Sequence, residues 1–229
     1  MAMQSIEPER FSNRQMAGML ATRQIAQDAA EGTATHGLVR TIAAGAQIFA
    51  EGDASDRFYR IQHGVVRTCR FLNDGRRQID AFYAEQDLFG FERDGERRLT
   101  AEAVTDCTLI AYPRLRSANE PDAALHHAPE LLIQALHGMA RAQEHALLLG
   151  RRGAGEKLAS FLLQCQGAPE GAATVRLPMS RQDIADYLGL TIETVSRTFT
   201  QLERDGVIAL PAAKQVVIRN VGKLRELAA

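Results

Sequence analysis

From Ser180 to Leu188, and again beyond Leu190-Thr191, apolar residues recur at the spacing of one helix face, and the single glycine Gly189 divides the two runs. Ile184, Ala185 and Leu188 share a side in the first run; Val195, Phe199 and Leu202 do so in the second. Two such faces cover each other, with the small Ala185 where the helices cross and a glycine that can take positive φ in the turn. The pattern predicts a helix-turn-helix. Ser180 ahead of Arg181-Gln182-Asp183 reads as a capping box with Asp in the place of the usual Glu, and Thr191 reads as the cap of the second helix. Asp205-Gly206 supplies a left-handed stop. Val207 to Leu210 and Gln215 to Ile218 then read as two short strands, with Pro211-Ala212-Ala213-Lys214 as the tip of a wing.

Upstream the periodicity is different. Between about Val39 and Pro113 the chain carries short β-like runs: Thr41-Ile42, Gln47 to Phe49, Phe58 to Ile61, Val65 to Leu72, Gln78 to Tyr83 and Cys107 to Tyr112. Asp74-Gly75 marks a tight hairpin, and Gly45, Gly52, Gly64 and Gly90 fall where the backbone must turn. This is the pattern of a β-sandwich or jelly roll. A helical block follows from Pro129, placed at a first-turn position after a loop that ends at His126-His127, and runs to Gly150. Its apolar stripe is too wide for one contact. One side suits the roll, while Leu132, Leu136, Met139, Gln143 and Ala146 follow the 4,3 spacing of a helix pair. That spacing predicts a homodimer; the alternative is a helix buried wholly within one subunit. Gly150 to Gly155 reads as a hinge, and Glu156 to Gln164 as another helix with Leu158, Phe161 and Leu162 inward. Phe11 to Ala30 is either an amphipathic helix or disordered.

The expected fold class is therefore α+β, in four parts: an N-terminal helical extension (1–38), a jelly-roll, sensor-like β-roll (39–120), a dimerisation helix (121–150) and a winged helix-turn-helix (151–229). With 229 residues and 45% hydrophobic content, the chain can fill two cores. No apolar run is long enough to span a membrane and the first residues do not read as a secretory signal, so a cytoplasmic protein is expected. The net charge of −1 hides an asymmetry: residues 151–229 hold 11 Lys or Arg against 8 Asp or Glu, a net +3 against −4 elsewhere. A modest local basic surface fits a specific DNA binder better than one held by bulk charge.

The chemistry of the second helix fits the same reading. Glu193 and Arg197, four apart, share an exposed face near its N-terminus, where a carboxylate can accept from cytosine N4 and a guanidinium can fork onto guanine O6 and N7. Ile192 suits a thymine methyl and Ser196 permits close approach. Ser180, Arg181, Thr191, Thr194 and Lys214 are candidate phosphate contacts around the helix starts and the wing; for the caps, simple capping is an equal alternative. No catalytic triad or phosphate-cradling loop is present, so no enzyme is expected. Cys69, Cys107 and Cys165 are too scattered for a metal cluster, and no metal or cofactor is assigned. Cys69 and Cys107 read as small buried hydrophobes; Cys165, near the DNA-binding part, is the one candidate redox thiol.

The order of roll, long helix and winged helix-turn-helix, with Ala50-Glu51-Gly52-Asp53, Ile61-Gln62-His63-Gly64 and Glu193-x-x-Ser196-Arg197, resembles the Crp/Fnr family of bacterial transcription regulators over roughly residues 39 to 220. Ser196 within that last motif, and the segment Arg181 to Thr191, resemble the FixK branch. The resemblance implies a homodimeric activator of low-oxygen or nitrogen-fixation genes at a TTGA-spacer-TCAA palindrome, with RNA polymerase as partner and the exposed turn Asn73-Asp74-Gly75 as a possible contact for it. In cyclic-nucleotide-binding members a Gly-Glu pair and an Arg-Ser pair hold ribose and phosphate; here Gly90-Phe91 and Arg98-Leu99 fall at those places, so no cyclic AMP binding is expected. The alternative implied by the family is a regulator gated by another small effector or by haem, for which His63 would be a ligand. Glu226-Leu227-Ala228-Ala229 resembles tails recognised by cytoplasmic proteases.

Overall fold

The computed structural model describes residues 37–92, 95–113, 121–151, 153–166 and 173–229, with side chains between 121 and 131 and at 173 left out; the N-terminal extension expected over 1–38, and with it the Phe11 to Ala30 helix, lies almost entirely outside the described residues. Eight strands form the roll: β1 (Leu38–Ile42), β2 (Gln47–Phe49), β3 (Arg57–His63), β4 (Val66–Phe71), β5 (Arg77–Tyr83), β6 (Leu88–Phe89), β7 (Thr100–Ala103) and β8 (Cys107–Pro113). They make two antiparallel sheets, in the orders β1-β8-β3-β6 and β2-β7-β4-β5. Ile48, Phe49, Tyr59, Ile61, Val66, Phe89 and Leu109 fill the space between them.

The second sheet is buried on its outer face as well. In β4 the period of two sends Arg67 and Cys69 to one side. On β5, Ile79 and Phe82 are three apart and would point to opposite faces in a regular strand. A register shift lets Cys69 pair with Ile79 and Thr68 with Ala81, which returns both Ile79 and Phe82 to the outer face. There they join the core of the C-terminal half. Roll and DNA-binding part are thus two ends of a shared apolar interior.

That half comprises α1 (Pro121–Gly150), α2 (Ala154–Gln166), β9 (Ala173–Arg176), α3 (Arg181–Leu188), α4 (Ile192–Arg204), β10 (Ile208–Ala212), β11 (Gln215–Ile218) and α5 (Val221–Ala228). Pro121, not Pro129, opens α1, so His126, His127 and Pro129 lie within the helix rather than at its start. The wing is a three-stranded sheet, β10-β11-β9, its third strand supplied from before the helix-turn-helix. The segment Glu226-Leu227-Ala228, read from sequence as a protease-recognised tail or a helix end, lies in α5, where Leu224 and Ala228 are buried and Arg151 donates to the Ala228 carbonyl. A protease would first have to pull it off the domain.

Two roll glycines separate conformational from steric demand. Gly75, at φ 82°, turns the β4–β5 hairpin in open space, whereas a Cβ on Gly64, at φ 96°, would run into the Asp106 carbonyl and lie 2.7 Å from Cys107 Sγ. Gly75→Ala should cost about 1–2 kcal/mol from backbone strain alone. Gly64→Ala adds overpacking and should cost roughly 2–4 kcal/mol. Urea denaturation of the two variants checks the order; equal losses would remove the steric part of the argument.

Candidate nucleic-acid interface

Local sequence rules set the frame of the interface. Ser180 Oγ accepts from the Asp183 amide at 3.1 Å, while Asp183 Oδ2 accepts from the Ser180 amide at 2.9 Å, a complete capping box. The shorter aspartate still closes it. Gly189 ends α3 at φ 63°, and its amide and that of Leu190 both donate to the Ala185 carbonyl. Lys157 of α2 donates to the Leu188 carbonyl at 3.2 Å, placing a cation on the orphaned C-terminal carbonyls of α3. Across the turn, Thr191 Oγ1 accepts from the Thr194 amide at 3.2 Å and caps α4. Val195, Phe199 and Leu202 are buried against Ile184, Ala185 and Leu188.

Burial of that stripe leaves the other side of α4 to solvent. Ile192, Glu193, Ser196 and Arg197 are all exposed on it. The Glu193 carboxyl is held below its usual range first by its own backbone amide, then by the Thr191 hydroxyl, with a smaller contribution from Arg197. It is therefore an anion in the first turn of α4, where the helix dipole favours it.

The candidate phosphate contacts fare unequally. Ser180 and Thr191 are exposed and occupied as caps. Thr194 shares a hydroxyl contact with Thr191 at 3.1 Å. Lys214 does not reach out freely from the wing tip: its Nζ donates to the Pro178 carbonyl at 2.9 Å, which carries the charge back to the segment leading into α3. The Arg181 guanidinium sits over Phe199, 3.3 Å from the ring centroid, and its Nη1 is buried with no hydrogen-bond partner among the described residues. Burial lowers its pKa to about 10. A partly desolvated guanidinium without a counter-ion among the described residues, beside a helix N-terminus, is a site that an anion would stabilise.

The dimer-interface candidates lie on one side of α1. Leu132, Leu136 and Met139 are 61%, 51% and 55% exposed, and Gln143 and Ala146 are exposed beside them. Leu147, at 75%, belongs to the same strip although it breaks the 4,3 spacing, which is why the heptad pattern passes over it. The opposite side of α1 is engaged: Arg141 pairs with Asp87 at 3.2 Å and stacks over Tyr83, His145 hydrogen-bonds the Tyr187 carbonyl at 2.8 Å with its ring 4.0 Å from that tyrosine's, and Leu148 is buried. So large an apolar strip on a helix already packed on its other side is characteristic of an interaction surface.

In the roll it is Arg97, not Arg98, that turns inward. It is 3% exposed, stacks 4.0 Å from the Phe49 centroid and donates to the carbonyls of Gly90 and Arg57 at 2.5 and 2.6 Å. Arg98 is exposed. Phe49, Tyr59 and Phe89 stack mutually with centroids 5.3–6.2 Å apart, and the guanidinium lies over Phe49 and Tyr59. His63 is at the surface, with Nδ1 2.9 Å from Glu85 Oε1, outside this interior.

The comparisons with known proteins agree with this geometry. Residues 156–227 match a Crp-like helix-turn-helix domain and residues 39–117 a cyclic nucleotide-binding domain. The nitrogen fixation regulation protein FixK of Rhizobium meliloti (strain 1021) is 46% identical over 83% of this chain and 87% of its own length. That of Azorhizobium caulinodans is 41% identical over 94% of the chain and 90% of its own. This chain belongs to the Crp/Fnr family, in its FixK branch. The solved structure of FixK2 from Bradyrhizobium japonicum is 36% identical and superposes with a TM-score of 0.77, over 85% of this chain and 98% of the other. The chain is accordingly a FixK-type transcription regulator with a DNA-binding helix-turn-helix, and its relatives are regulators rather than enzymes. No helix among the described residues is long and apolar enough to cross a membrane.

The redox expectation for Cys165 is corrected by its surroundings. Cys165 is fully buried in the core of the C-terminal half, and burial pushes its thiol pKa far up. Cys69 is buried too, raised to about 11, and Cys107 is raised in the same direction. Thiolate is the reactive form, so all three should be inert in the folded protein. An aromatic disulfide reagent at pH 8 should label none of them quickly, and all of them once urea is added. Rapid native labelling mapped to Cys165 would reinstate a sensor.

Proposed function

We propose that the protein is a cytoplasmic, homodimeric activator of low-oxygen or nitrogen-fixation genes that binds a TTGA-spacer-TCAA palindrome without a cyclic nucleotide. The observation that carries this reading is the exposed row Ile192, Glu193, Ser196 and Arg197 at the N-terminal end of a capped α4 whose other face is buried. Arg197 reads guanine, Glu193 the cytosine amino group, and Ile192 a thymine methyl. Arg181 takes a phosphate as its missing counter-ion, with Ser180, Thr191 and Thr194 beside the same backbone and Lys214 flanking it.

Pairing of two copies through Leu132, Leu136, Met139, Gln143, Ala146 and Leu147 sets two recognition helices about one DNA turn apart, near 34 Å. The packed roll interior supports independence from a nucleotide, since Arg97 Nη1 and Nη2 already donate to the Gly90 and Arg57 carbonyls. RNA polymerase is the partner that activation requires, and the exposed hairpin at Asn73-Asp74-Gly75, flanked by the half-exposed Phe71 and Leu72, offers it a surface.

Purified protein without effector should bind the palindrome selectively over a scrambled duplex at one fixed salt concentration. Arg197→Ala should weaken that binding by about 1–3 kcal/mol per half-site and relax selectivity at the guanine. Unchanged specific affinity in this variant would refute the assignment of the base-reading face. Separately, Met139→Arg should convert a dimer to a monomer in sedimentation, with the fold retained; a variant that stays dimeric would move the interface elsewhere.

A further inference from the structure

An ionic cluster joins the roll to the helix-turn-helix, and DNA recognition as described makes no use of it. Arg67 on β4 donates to Glu102 on β7 at 2.8 Å and to Asp183 Oδ1 on α3 at 2.9 Å. Arg77 on β5 donates to the same Asp183 Oδ1 at 2.5 Å, to Asp186 Oδ2 at 2.8 Å and, at 3.5 Å, to Glu102. The five side chains are between 5% and 17% exposed, so water screens them little. Asp183 is committed on both oxygens: Oδ2 closes the capping box of α3 and Oδ1 takes the two guanidinium groups of the roll. The first turn of α3 therefore cannot shift against β4 and β5 without breaking these buried ion pairs.

The cluster does not mask the reading face. It engages α3 through Asp183 and Asp186, while Ile192, Glu193, Ser196 and Arg197 on α4 stay exposed with every one of these contacts made. We propose that Arg67 and Arg77 of the roll are positioning residues for DNA recognition, pinning the helix-turn-helix at the angle that matches two half-sites in register. They do for this chain what a bound effector would do for a ligand-gated one. Two forked guanidinium groups suit the task, since each fixes direction as well as distance to its carboxylates. The proposal rests on the homodimeric, palindrome-reading function above.

The discriminating readout is spacer preference. Full-length Arg77→Gln, Arg67→Gln and the double variant are compared with the parent protein on three duplex types: the palindrome with its preferred spacer, palindromes one base pair shorter and longer, and a lone half-site. Folding is followed by circular dichroism. The variants should hold the lone half-site within about threefold of the parent, because the α4 face is intact. On the preferred palindrome they should lose about tenfold or more, and their discrimination between spacers should collapse. A variant that folds, prefers the palindrome over the half-site and keeps the parent's full spacer discrimination overturns the proposal while leaving the function standing. A parent protein with no preference for palindrome over half-site removes the dimeric reading, and the proposal with it. Should the single variants unfold, the exchanged pair Arg77→Asp with Asp186→Arg restores one bridge; a folded exchanged pair should recover spacer discrimination, and one that does not overturns the proposal.

Discussion

Burial of the second roll sheet on both faces is the constraint from which the architecture follows. Once Cys69, Ile79 and Phe82 lie in the same apolar interior as Leu158, Phe161, Ile184 and Tyr187, the DNA-binding part cannot be an independent module on a hinge. Tyr187 is the hub of that contact, with its ring against Phe82 at 5.4 Å, Phe161 at 5.8 Å and His145 at 4.0 Å. Polar groups at the edge of such a seam must be satisfied or the seam opens. Arg67, Arg77, Glu102, Asp183 and Asp186 meet that requirement among themselves.

The same seam ties the recognition helix to α1. His145 and Leu148 touch the helix-turn-helix core directly, and Arg141 touches the roll through Asp87 and Tyr83, so α1 is gripped by both parts along one side. Its other side carries the exposed strip from Leu132 to Leu147. A partner bound to that strip would therefore be related to α4 by packed side chains throughout, with no flexible link between. Packed interiors transmit a displacement rather than absorb it. In a dimer paired through that strip, the spacing of the two recognition helices would be a property of the core.

The helix-turn-helix was legible in the sequence because each of its signals is local. A cap, a stop and a stripe lie within one or two turns of each other, and Ser180, Asp183, Gly189 and Thr191 act as read. The elements that escaped are those whose cause is distant. Thr100–Ala103 has no β-branched or aromatic run, and forms β7 because small alanines let it pass between β2 and β4. Ala173–Arg176 becomes a strand only because β11, about forty residues later, offers it an edge. Pro129 misled because a proline often opens a helix, and Pro121 was the one that did. Most opaque was the ionic seam: Arg67 and Asp183 are 116 positions apart, and an arginine in a half-buried strand looks in sequence like any solvated one. The buried Arg97 was not singled out either, because it lies outside any strand whose alternation could phase it and its acceptors, the Gly90 and Arg57 carbonyls, are 7 and 40 residues away.

Arg97 and the Arg67–Arg77 pair together suggest how a nucleotide-type roll serves as a bracket. A cation set over Phe49 and Tyr59 needs acceptors, and the chain supplies two of its own carbonyls, Gly90 and Arg57, at 2.5 and 2.6 Å. An exogenous anion would have to compete with acceptors already in place and displace stacked rings, a cost that a preorganised pocket does not impose. On the outer face the balance is reversed, because there the guanidinium groups find their carboxylates on another part of the chain. With the roll's ion pairs at its junction with α3, the proposed pinning would set the geometry of the DNA-binding part through residues outside the exposed α4 row.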